Sequence, residues 1–470
     1  MIADLKPYAE YKDSGLPWLG QVPGHWQTER AKWLFTKMNR PVQNGEEVVT
    51  CFRDGIVTLR RNRRLRGFTE ATVFSGYQGI RNGDLVIHGM DAFAGAIGVS
   101  DSDGMGTPVY NVCQPRAGVN AGYYAHLVRQ MSQSQWILAL AKGIRERSTD
   151  FRFETFGNQR VSLPPPAEQA AIVRFLDWAN GRLERASRAK RKVIALLNEQ
   201  KQAIIHRAVT RGLDPSVPLK PSGIPWLGDI PAHWEVRRVK NFARSGYKTF
   251  VDGDWIESPF IRESGVRLIQ TGNVGAGNYR EKGFRYISEE TFNEFGCTEI
   301  LPGDVLICRL GEPVGRACLA PSLGVRMITS VDVCILKPST AVNPAFAVYL
   351  MTSPGYLRWV GSLVRGSTRD RVSRSMLAGF TLPLPPIEEQ AAIICFLNGA
   401  CGELDGAISR LEREIDLLLE YRTRLVADVV TGKLDVREAA ARLPDEEALV
   451  DIPDTDDPDD DLAADEKADA

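Results

Sequence analysis

The stretch LPPPAEQAAIVRFL, from Leu163 to Leu176, returns later in the chain as LPPIEEQAAIICFL, from Leu384 to Leu397. Proline just before a helix removes no N–H group that the helix needs, and the acidic residues that follow suit the positive first turn. Each copy therefore predicts the start of a helix. Because the copies lie 221 residues apart, we expect two long helices in equivalent positions of a duplicated chain.

A second segment also occurs twice, well before each of these helices. SGLPWLGQVPGHW, from Ser14 to Trp26, matches SGIPWLGDIPAHW, from Ser222 to Trp234, at a shift of 208. The two repeats alternate along the chain, so they predict two modules. Similarity fades between the repeats, except for traces such as GDLVI at 83–87 against GDVLI at 303–307. The modules are therefore expected to share a fold but not a surface.

Apolar residues with a spacing of seven follow the second helix start. They form one series of leucines and a second series with one polar break, which is typical of a coiled-coil seam: Leu404, Leu411, Leu418 and Leu425, with Ile408, Ile415, Arg422 and Val429. The equivalent positions of the first helix are less apolar: Leu183, Lys190, Leu197 and Ile204, with Ser187, Ile194, Lys201 and Ala208. Pairing between the two helices is favoured over self-pairing. Seams of roughly 30 residues would give arms of about 45 Å, and ordinary core packing is the alternative.

Short β-branched runs such as Val266 to Ile269, separated by Gly and Pro, predict mixed structure within the modules. The expected fold class is α+β, with two α/β domains alternating with two long helices that form a coiled-coil spacer, which the family that the chain resembles implies to be antiparallel. The predicted boundaries are 1–162 for the first domain, with its leading segment at 11–26, 163–212 for the first helix, 213–382 for the second domain, with its leading segment at 219–234, 383–436 for the second helix, and 437–470 for an acidic disordered tail.

Charge is distributed unevenly along the chain. The formal net charge is -1, but residues 445–470 carry thirteen Asp/Glu and one Lys, a sum of -12, so the rest carries -1 + 12 = +11. A basic body is compatible with a polyanionic partner, whereas an acidic segment broken by proline has too little apolar surface to fold alone. Solubility is the simpler role for the tail, and competition with DNA is the alternative.

The eight cysteines show neither a CxxC pair nor metal-ligand spacing with the five histidines, so neither a disulfide framework nor a metal site is expected. No apolar run approaches the roughly 18 residues of a membrane span, and the first residues do not resemble a signal peptide. We therefore expect a cytoplasmic protein without a membrane partner.

Catalytic motifs are weak. NPAF at 343–346 approaches the NPPF-type loop of adenine methyltransferases, but its repeat partner NAGY at 120–123 lacks the proline, so a helix N-cap explains both better. No phosphate-binding P-loop occurs. The repeated His25 and His233 are interpreted as structural. A self-contained enzyme with diverged motifs and a scaffold that binds only proteins remain as alternatives.

The proline turn followed by Glu-Gln, together with the twice-occurring SG-PWLG-P-HW segment, resembles the specificity subunits of type I restriction-modification enzymes, over nearly the whole chain to about residue 440. The resemblance implies two target-recognition domains that each read half of a split site in double-stranded DNA. It also implies two modification subunits that methylate adenine, restriction subunits that join them, and no catalysis by this chain. S-adenosylmethionine, ATP and Mg²⁺ are then expected on the partner subunits, and no cofactor on this chain.

Arginine can contact phosphates and can also donate two hydrogen bonds to guanine, so runs of arginine are the first candidates for DNA contacts. Solvated loops and structural ion pairs are the rival interpretations. Asparagine and glutamine beside glycine in RLIQTGNVGAGNY, at 267–279, are further candidates for base reading. The predicted DNA-binding residues are Arg60, Arg61, Arg63, Arg64, Arg66, Arg145, Arg147, Arg267, Gln270, Asn273, Arg365, Arg369, Arg371 and Arg374.

Overall fold

A computed structural model describes residues 5–63, 76–140, 150–364 and 370–444 of the chain. The chain divides into two compact units, one formed by residues up to Arg188 together with those from Ile415 on, the other by Ala189 to Glu414. Each unit thus combines one module with parts of both long helices, whereas the boundaries predicted from sequence follow the chain.

The elements of the first half of the chain run to the end of the first long helix: β1 (Tyr11–Asp13), β2 (Gln21–Pro23), β3 (Gln27–Arg30), α1 (Ala31–Leu34), β4 (Phe35–Met38), β5 (Val49–Cys51), β6 (Val57–Leu59), β7 (Gln78–Ile80), β8 (Leu85–His88), β9 (Ile97–Val99), β10 (Gly104–Gly106), β11 (Tyr110–Pro115), α2 (Ala121–Gln133), α3 (Trp136–Leu140), α4 (Phe153–Asn158), β12 (Arg160–Leu163) and α5 (Pro166–Arg211).

The second half repeats much of this order and ends in a short additional helix: β13 (Leu219–Pro221), β14 (Asp229–Pro231), β15 (Glu235–Arg238), β16 (Phe250–Asp252), β17 (Val266–Ile269), β18 (Tyr286–Ile287), α6 (Glu289–Glu294), β19 (Val305–Cys308), β20 (Ala317–Leu319), β21 (Met327–Thr329), β22 (Val333–Leu336), α7 (Pro344–Met351), α8 (Pro354–Leu363), α9 (Arg374–Gly379), β23 (Thr381–Leu384), α10 (Ile387–Val430) and α11 (Arg437–Ala441).

The central sheet has the same strand order in both units. It is β4-β11-β8-β9 in the first and β16-β22-β19-β20 in the second, with every neighbouring pair antiparallel. Two small strand pairs are repeated as well: β1-β2 corresponds to β13-β14, and β3-β12 corresponds to β15-β23. The prediction that the modules share an α+β fold is confirmed.

Both faces of each central sheet are buried, which explains why its strands are continuously apolar rather than alternating. In the second unit, Val305 and Ile307 pack on the side of α7, α8 and the long helices. Their neighbours Leu306 and Cys308 pack on the opposite side, with Ile269 and other residues of the 253–304 region. Each sheet therefore separates a helix side from an insert side.

The inserts are the segments that leave the central sheet between β4 and β8 in the first unit and between β16 and β19 in the second. Insert 1 (residues 39–84) contains the hairpin β5-β6 and also β7, which pairs with β10. Insert 2 (residues 253–304) contains β17, β18 and α6, and β17 pairs in parallel with β21. The two inserts are therefore built differently on equivalent sheets, as the loss of sequence similarity predicts.

The Glu-Gln motif at each helix start binds the two other repeated segments of its unit. In the first unit Glu168 accepts hydrogen bonds from Trp26 Nε1 at 2.9 Å and lies 2.8 Å from His25 Nε2, while the Gln169 amide oxygen accepts from Asn120 N at 2.9 Å. The repeated segment at the helix start therefore contacts the repeated segment that ends in His25 and Trp26.

The second unit repeats two of these contacts at a distance of 2.7 Å each. His233 Nε2 faces Glu389 Oε2, and Asn343 N donates to Gln390 Oε1. Asn343 and its counterpart Asn120 accept hydrogen bonds from the first turns of α7 and α2. The prediction that NPAF and NAGY are helix N-caps is confirmed.

The long helices run antiparallel within each unit. In the second unit Lys190 pairs with Glu414, and Lys201 Nζ lies 2.5 Å from Asp405. In the first unit Arg422, the polar break of the predicted seam, faces Glu184 at 3.7 Å. All predicted seam positions are buried or half-buried. The seam lysines are therefore accommodated by carboxylates of the facing helix.

The predicted acidic tail begins too early. Helix α11 is folded, Val436, Ala439 and Ala440 pack in the core of the first unit, and Leu443 is buried. These residues follow an i, i+3, i+4, i+7 spacing, which places them on one helical face, so the expectation of disorder from residue 437 is wrong for 437–444. Residues 445–470 lie outside the described residues.

Helix α10 contains an 18-residue window of mean hydropathy 1.4, which passes a length and composition test for a membrane span. This differs from the expectation that no such stretch exists. The core helix of a folded domain meets the same test, and Ile393, Leu397 and Cys401 of α10 pack in the core of the second unit.

Candidate nucleic-acid interface

The arginine run of the first module lies in insert 1, directly after β6. Arg61 Nη1 pairs with Glu47 at 2.7 Å, and Arg63 pairs with Asp54 at 2.6 Å while its guanidinium stacks 4.6 Å from the Phe52 ring. Both side chains belong to exposed residues. Exposed ion pairs of this kind contribute little to folding stability, so these guanidiniums can exchange a carboxylate for a phosphate at small cost.

Arg60 begins the turn at 60–62, and its Nε donates to Thr50 Oγ1 at 3.3 Å. The turn therefore sits on the β5-β6 hairpin. Arg64 and Arg66, together with Arg145, Arg147, Arg365 and Arg369, lie outside the described residues.

Arg267 of insert 2 has a different role from the predicted one. It is 1% exposed, and its guanidinium donates to the carbonyls of Lys282, Gly283 and Arg285 at 3.1, 3.3 and 3.2 Å. It also lies 5.2 Å from the Phe284 and Tyr286 rings. The structure contradicts the prediction of a DNA contact, because the side chain is buried and both Nη atoms donate to the protein's own carbonyls.

Asn273 is likewise buried, at 1% exposure. Its amide nitrogen donates to Arg280 O and Lys282 O at 2.9 and 2.8 Å, and its amide oxygen accepts from Gln270 N at 2.8 Å. Asn273 therefore shapes the loop and is corrected from a base-reading to a structural residue. Gln270 is half-buried and remains at the surface of the loop.

The side chains that this arrangement exposes were not predicted from sequence. Lys282 and Arg285 are exposed, Phe284 is 62% exposed, and Lys282 and Arg285 border a depression of about 300 Å³ that Gln270 also lines. Two cations, an amide and an aromatic ring are the groups that contact phosphates, base edges and base faces. The sequence feature that could have indicated these exposed side chains is the short run KGFRY at 282–286.

The arginines before the second long helix lie in an ion-pair cluster. Arg371 pairs with Asp332 at 2.8 Å, Arg374 lies 3.5 Å from Asp252, and the buried Arg309 lies 3.1 Å from Asp252. This supports the rival interpretation of structural ion pairing at 371 and 374. Both residues are still about half exposed, so they remain at the surface of the second module.

Groups that could carry catalysis are scarce in the described part of the chain. Within those ranges, no three His, Cys, Asp or Glu side chains are placed to hold a metal ion. All eight cysteines are free thiols, and burial raises the pKa of Cys51 and of Cys318 to about 12. The thiols of Cys51 and Cys318 therefore stay protonated at neutral pH and are poor nucleophiles.

Comparison with known proteins finds similarity to the specificity proteins of type I restriction-modification systems. Residues 231–402 match the family model described as the type I restriction modification DNA specificity domain. The chain is 22% identical over 291 residues to the type I restriction enzyme MjaVIII specificity subunit of Methanocaldococcus jannaschii, covering 60% of this chain and 64% of that subunit. It is also 22% identical over 318 residues to the putative MjaX specificity subunit of the same organism, covering 67% of this chain and 68% of that subunit.

A solved structure shares the fold. A chain from work on complex assembly and conformational transition of the type I R-M system superimposes with a TM-score of 0.64 at 17% identity, covering 88% of this chain and 99% of that one. The likeness at this identity concerns the fold alone.

Proposed function

We propose that the chain is a specificity subunit of a type I restriction-modification system, which the match of residues 231–402 and the similarity to curated specificity subunits support. In this proposal it reads a bipartite target in double-stranded DNA, with one half-site assigned to each module. It acts without catalysis of its own and directs the methylation and restriction that partner subunits carry out.

The observation that carries this proposal is the repeated central sheet with two different inserts. A protein that recognises the same half-site sequence twice needs two similar surfaces, whereas a protein that recognises two different half-site sequences needs two different surfaces, which one fold can carry. Insert 1 presents Arg61 and Arg63 beside a β-hairpin, and insert 2 presents Lys282 and Arg285 beside a buried arginine. The different chemistry of the inserts supports two unlike half-sites.

In this proposal the helices α5 and α10 fix the gap between the half-sites and dock two modification subunits. Apolar side chains on the outer faces of these helices support docking of a protein: Leu196 is 56% exposed and Leu417 is 63% exposed. S-adenosylmethionine, ATP and Mg²⁺ are assigned to the modification and restriction subunits, and the complex acts in the cytoplasm.

The test is the methylome of cells that carry this chain with its modification subunit, compared with cells that lack only this chain. We expect a bipartite methyladenine motif that disappears with the chain. An unchanged methylome in cells that produce both subunits would contradict the proposal.

A variant assigns the second half-site. Lys282→Gln combined with Arg285→Gln should abolish or relax one half of the motif and leave the other half defined. Arg326→Gln is the matched control, because Arg326 is an exposed cation already paired with Glu289 at 2.8 Å and Glu299 at 3.2 Å. Its motif should equal that of the wild type.

A further inference from the structure

The second unit contains a cationic cleft outside insert 2. It has a volume of about 800 Å³ and lies at the end of β15, along the turn at 239–242 and beside Thr381 of β23. Arg237, Arg238, Lys240 and Arg244 line it, and the last three are exposed. The cleft thus collects four positive charges within eight residues of sequence.

The backbone that carries these cations is fixed by the core. Val239 and Phe242, which alternate with the cations, are fully buried. Val239 N donates to Phe380 O at 2.8 Å, and Arg244 N donates to Lys337 O at 2.9 Å. The cations therefore project from a fixed backbone, so only their side chains have to be ordered when an anion binds.

None of the three exposed cations has a carboxylate within ion-pair distance among the residues that the structure describes. The neighbouring Arg237, by contrast, pairs with Glu235 at 2.6 Å. Arg244 also interacts electrostatically with Asp304, beyond ion-pair distance. The cleft remains a concentration of positive charge, because Arg238 and Lys240 have no carboxylate in ion-pair contact among the described residues.

The first unit repeats part of the arrangement at the shift of 208. Arg30 and Lys32 take the places of Arg238 and Lys240, with the fully buried Ala31 between them. Lys32 is half-buried, and its Nζ donates to Asn158 Oδ1 at 3.1 Å. Ala31 N donates to Gln159 O at 2.9 Å, which reproduces the backbone contact of Val239. Arg30 is exposed, and Trp33 beside it is 57% exposed.

We propose that Arg238, Lys240 and Arg244 in one unit, and Arg30 and Lys32 in the other, bind phosphates of the DNA backbone without regard to sequence. This inference rests on the proposed function and adds a second surface to each module, separate from the insert that reads bases. Contacts to phosphates position a protein on DNA, and contacts to base edges specify the sequence. Phosphates are the same at both half-sites, whereas the bases differ. Cations that repeat in both modules, while the inserts differ, therefore suit phosphate binding.

The test is the salt dependence of DNA binding by the full-length chain. Each phosphate contact adds about 0.9 to the slope of log K against log salt concentration, so Arg238→Gln with Lys240→Gln should lower the slope by about 1.8. At about 0.1 M salt this corresponds to roughly 60-fold weaker binding, relative to equal binding near 1 M. The loss should be equal for duplexes with and without the target.

Arg326→Gln is the matched control, because Arg326 lies outside the cleft and already pairs with Glu289 and Glu299, and it should change the slope by less than about 0.9. Arg30→Gln with Lys32→Gln should reproduce the loss from the first unit. Purification of each variant with the modification subunit shows whether the surface serves a protein instead.

An unchanged slope in both double variants would overturn the inference, whether or not assembly with the modification subunit is impaired. A larger loss on target than on random duplex would also overturn it, because the cations would then read sequence. Failure of the proposed function has a different signature: the wild-type complex would bind all duplexes equally.

Discussion

Arg267 should be a positioning residue for the loop at 282–286, which is proposed to contact DNA, and Arg267→Met tests this. The substitution keeps an apolar side chain of similar length in the buried site and removes hydrogen bonds of 3.1, 3.2 and 3.3 Å to three carbonyls. Hydrogen bonds from a charged donor contribute roughly 1.5–3 kcal/mol each, but carbonyls on an exposed segment can be hydrated instead. About 1 kcal/mol for each bond, or about 3 kcal/mol in total, is therefore expected.

Hydrogen exchange measures this loss locally. The amide of Leu268 donates to Arg285 O at 2.9 Å, so it reports whether the 282–286 segment stays in place. A loss of about 3 kcal/mol should accelerate its exchange by roughly 100-fold. Amides of the central sheet, such as that of Ile307, should exchange at the wild-type rate.

Arg285→Gln is the counterpart that separates position from contact. Arg285 is exposed, so this variant should keep the wild-type exchange rate at Leu268 and still lose recognition of one half-site. Arg267→Met should lose both. Wild-type exchange at Leu268 in Arg267→Met would refute the reasoning, since the loop would then hold its place without the guanidinium.

Three further predictions concern the helices and the first module. Burial and the nearby Arg129 and Arg422 lower the pKa of His126 to about 4, so below about pH 6.5 the unfolded chain takes up a proton that the folded chain does not. The free energy of unfolding should therefore fall by up to about 1.4 kcal/mol for each pH unit between about pH 6.5 and 4. Denaturant titrations at a series of pH values should show this fall in the wild type and a flatter dependence in His126→Leu. Alanine substitutions of Lys201 and Asp405 in a double-mutant cycle should give a coupling of about 0.5 kcal/mol, and additivity would mean that the ion pair is absent in solution. Four residues inserted after Ile194, with four more at the facing position of α10, lengthen the helical spacer by about 6 Å. The gap between the two half-sites of the methylated motif should then grow by about two base pairs. An unaltered gap would count against the spacer role.

The features that sequence could predict are those with local or periodic signals. The seam positions repeat every seven residues, and the structure buries or half-buries them all. The helix starts follow from proline and Glu-Gln, and α10 begins at Ile387 directly after Pro386. The segment from Val436 to Leu443 carried an equally local signal, its i, i+3, i+4, i+7 apolar spacing, which the acidic composition that follows it obscured.

The DNA-facing residues were harder to predict, because exposure depends on contacts far along the chain. Whether Arg267 is available is decided by carbonyls 15 to 18 residues later. Arg238 and Arg237 are adjacent in sequence, and only the position of Glu235 on the folded strand makes one of them paired and the other free for an anion. Counting arginines therefore locates a basic module but cannot rank its members.

The separation of helix side and insert side explains how such a chain can change its DNA target without losing its assembly. The Glu-Gln motif of α5 contacts His25, Trp26 and Asn120, all of which lie outside insert 1. Insert 1 packs on the opposite face of the central sheet, through residues such as Val49 and Ile80. An insert can therefore be replaced while the contacts to the helix remain, provided that it presents the same apolar face to the sheet. The residues proposed to read bases and the residues that hold the helices are therefore subject to separate physical constraints.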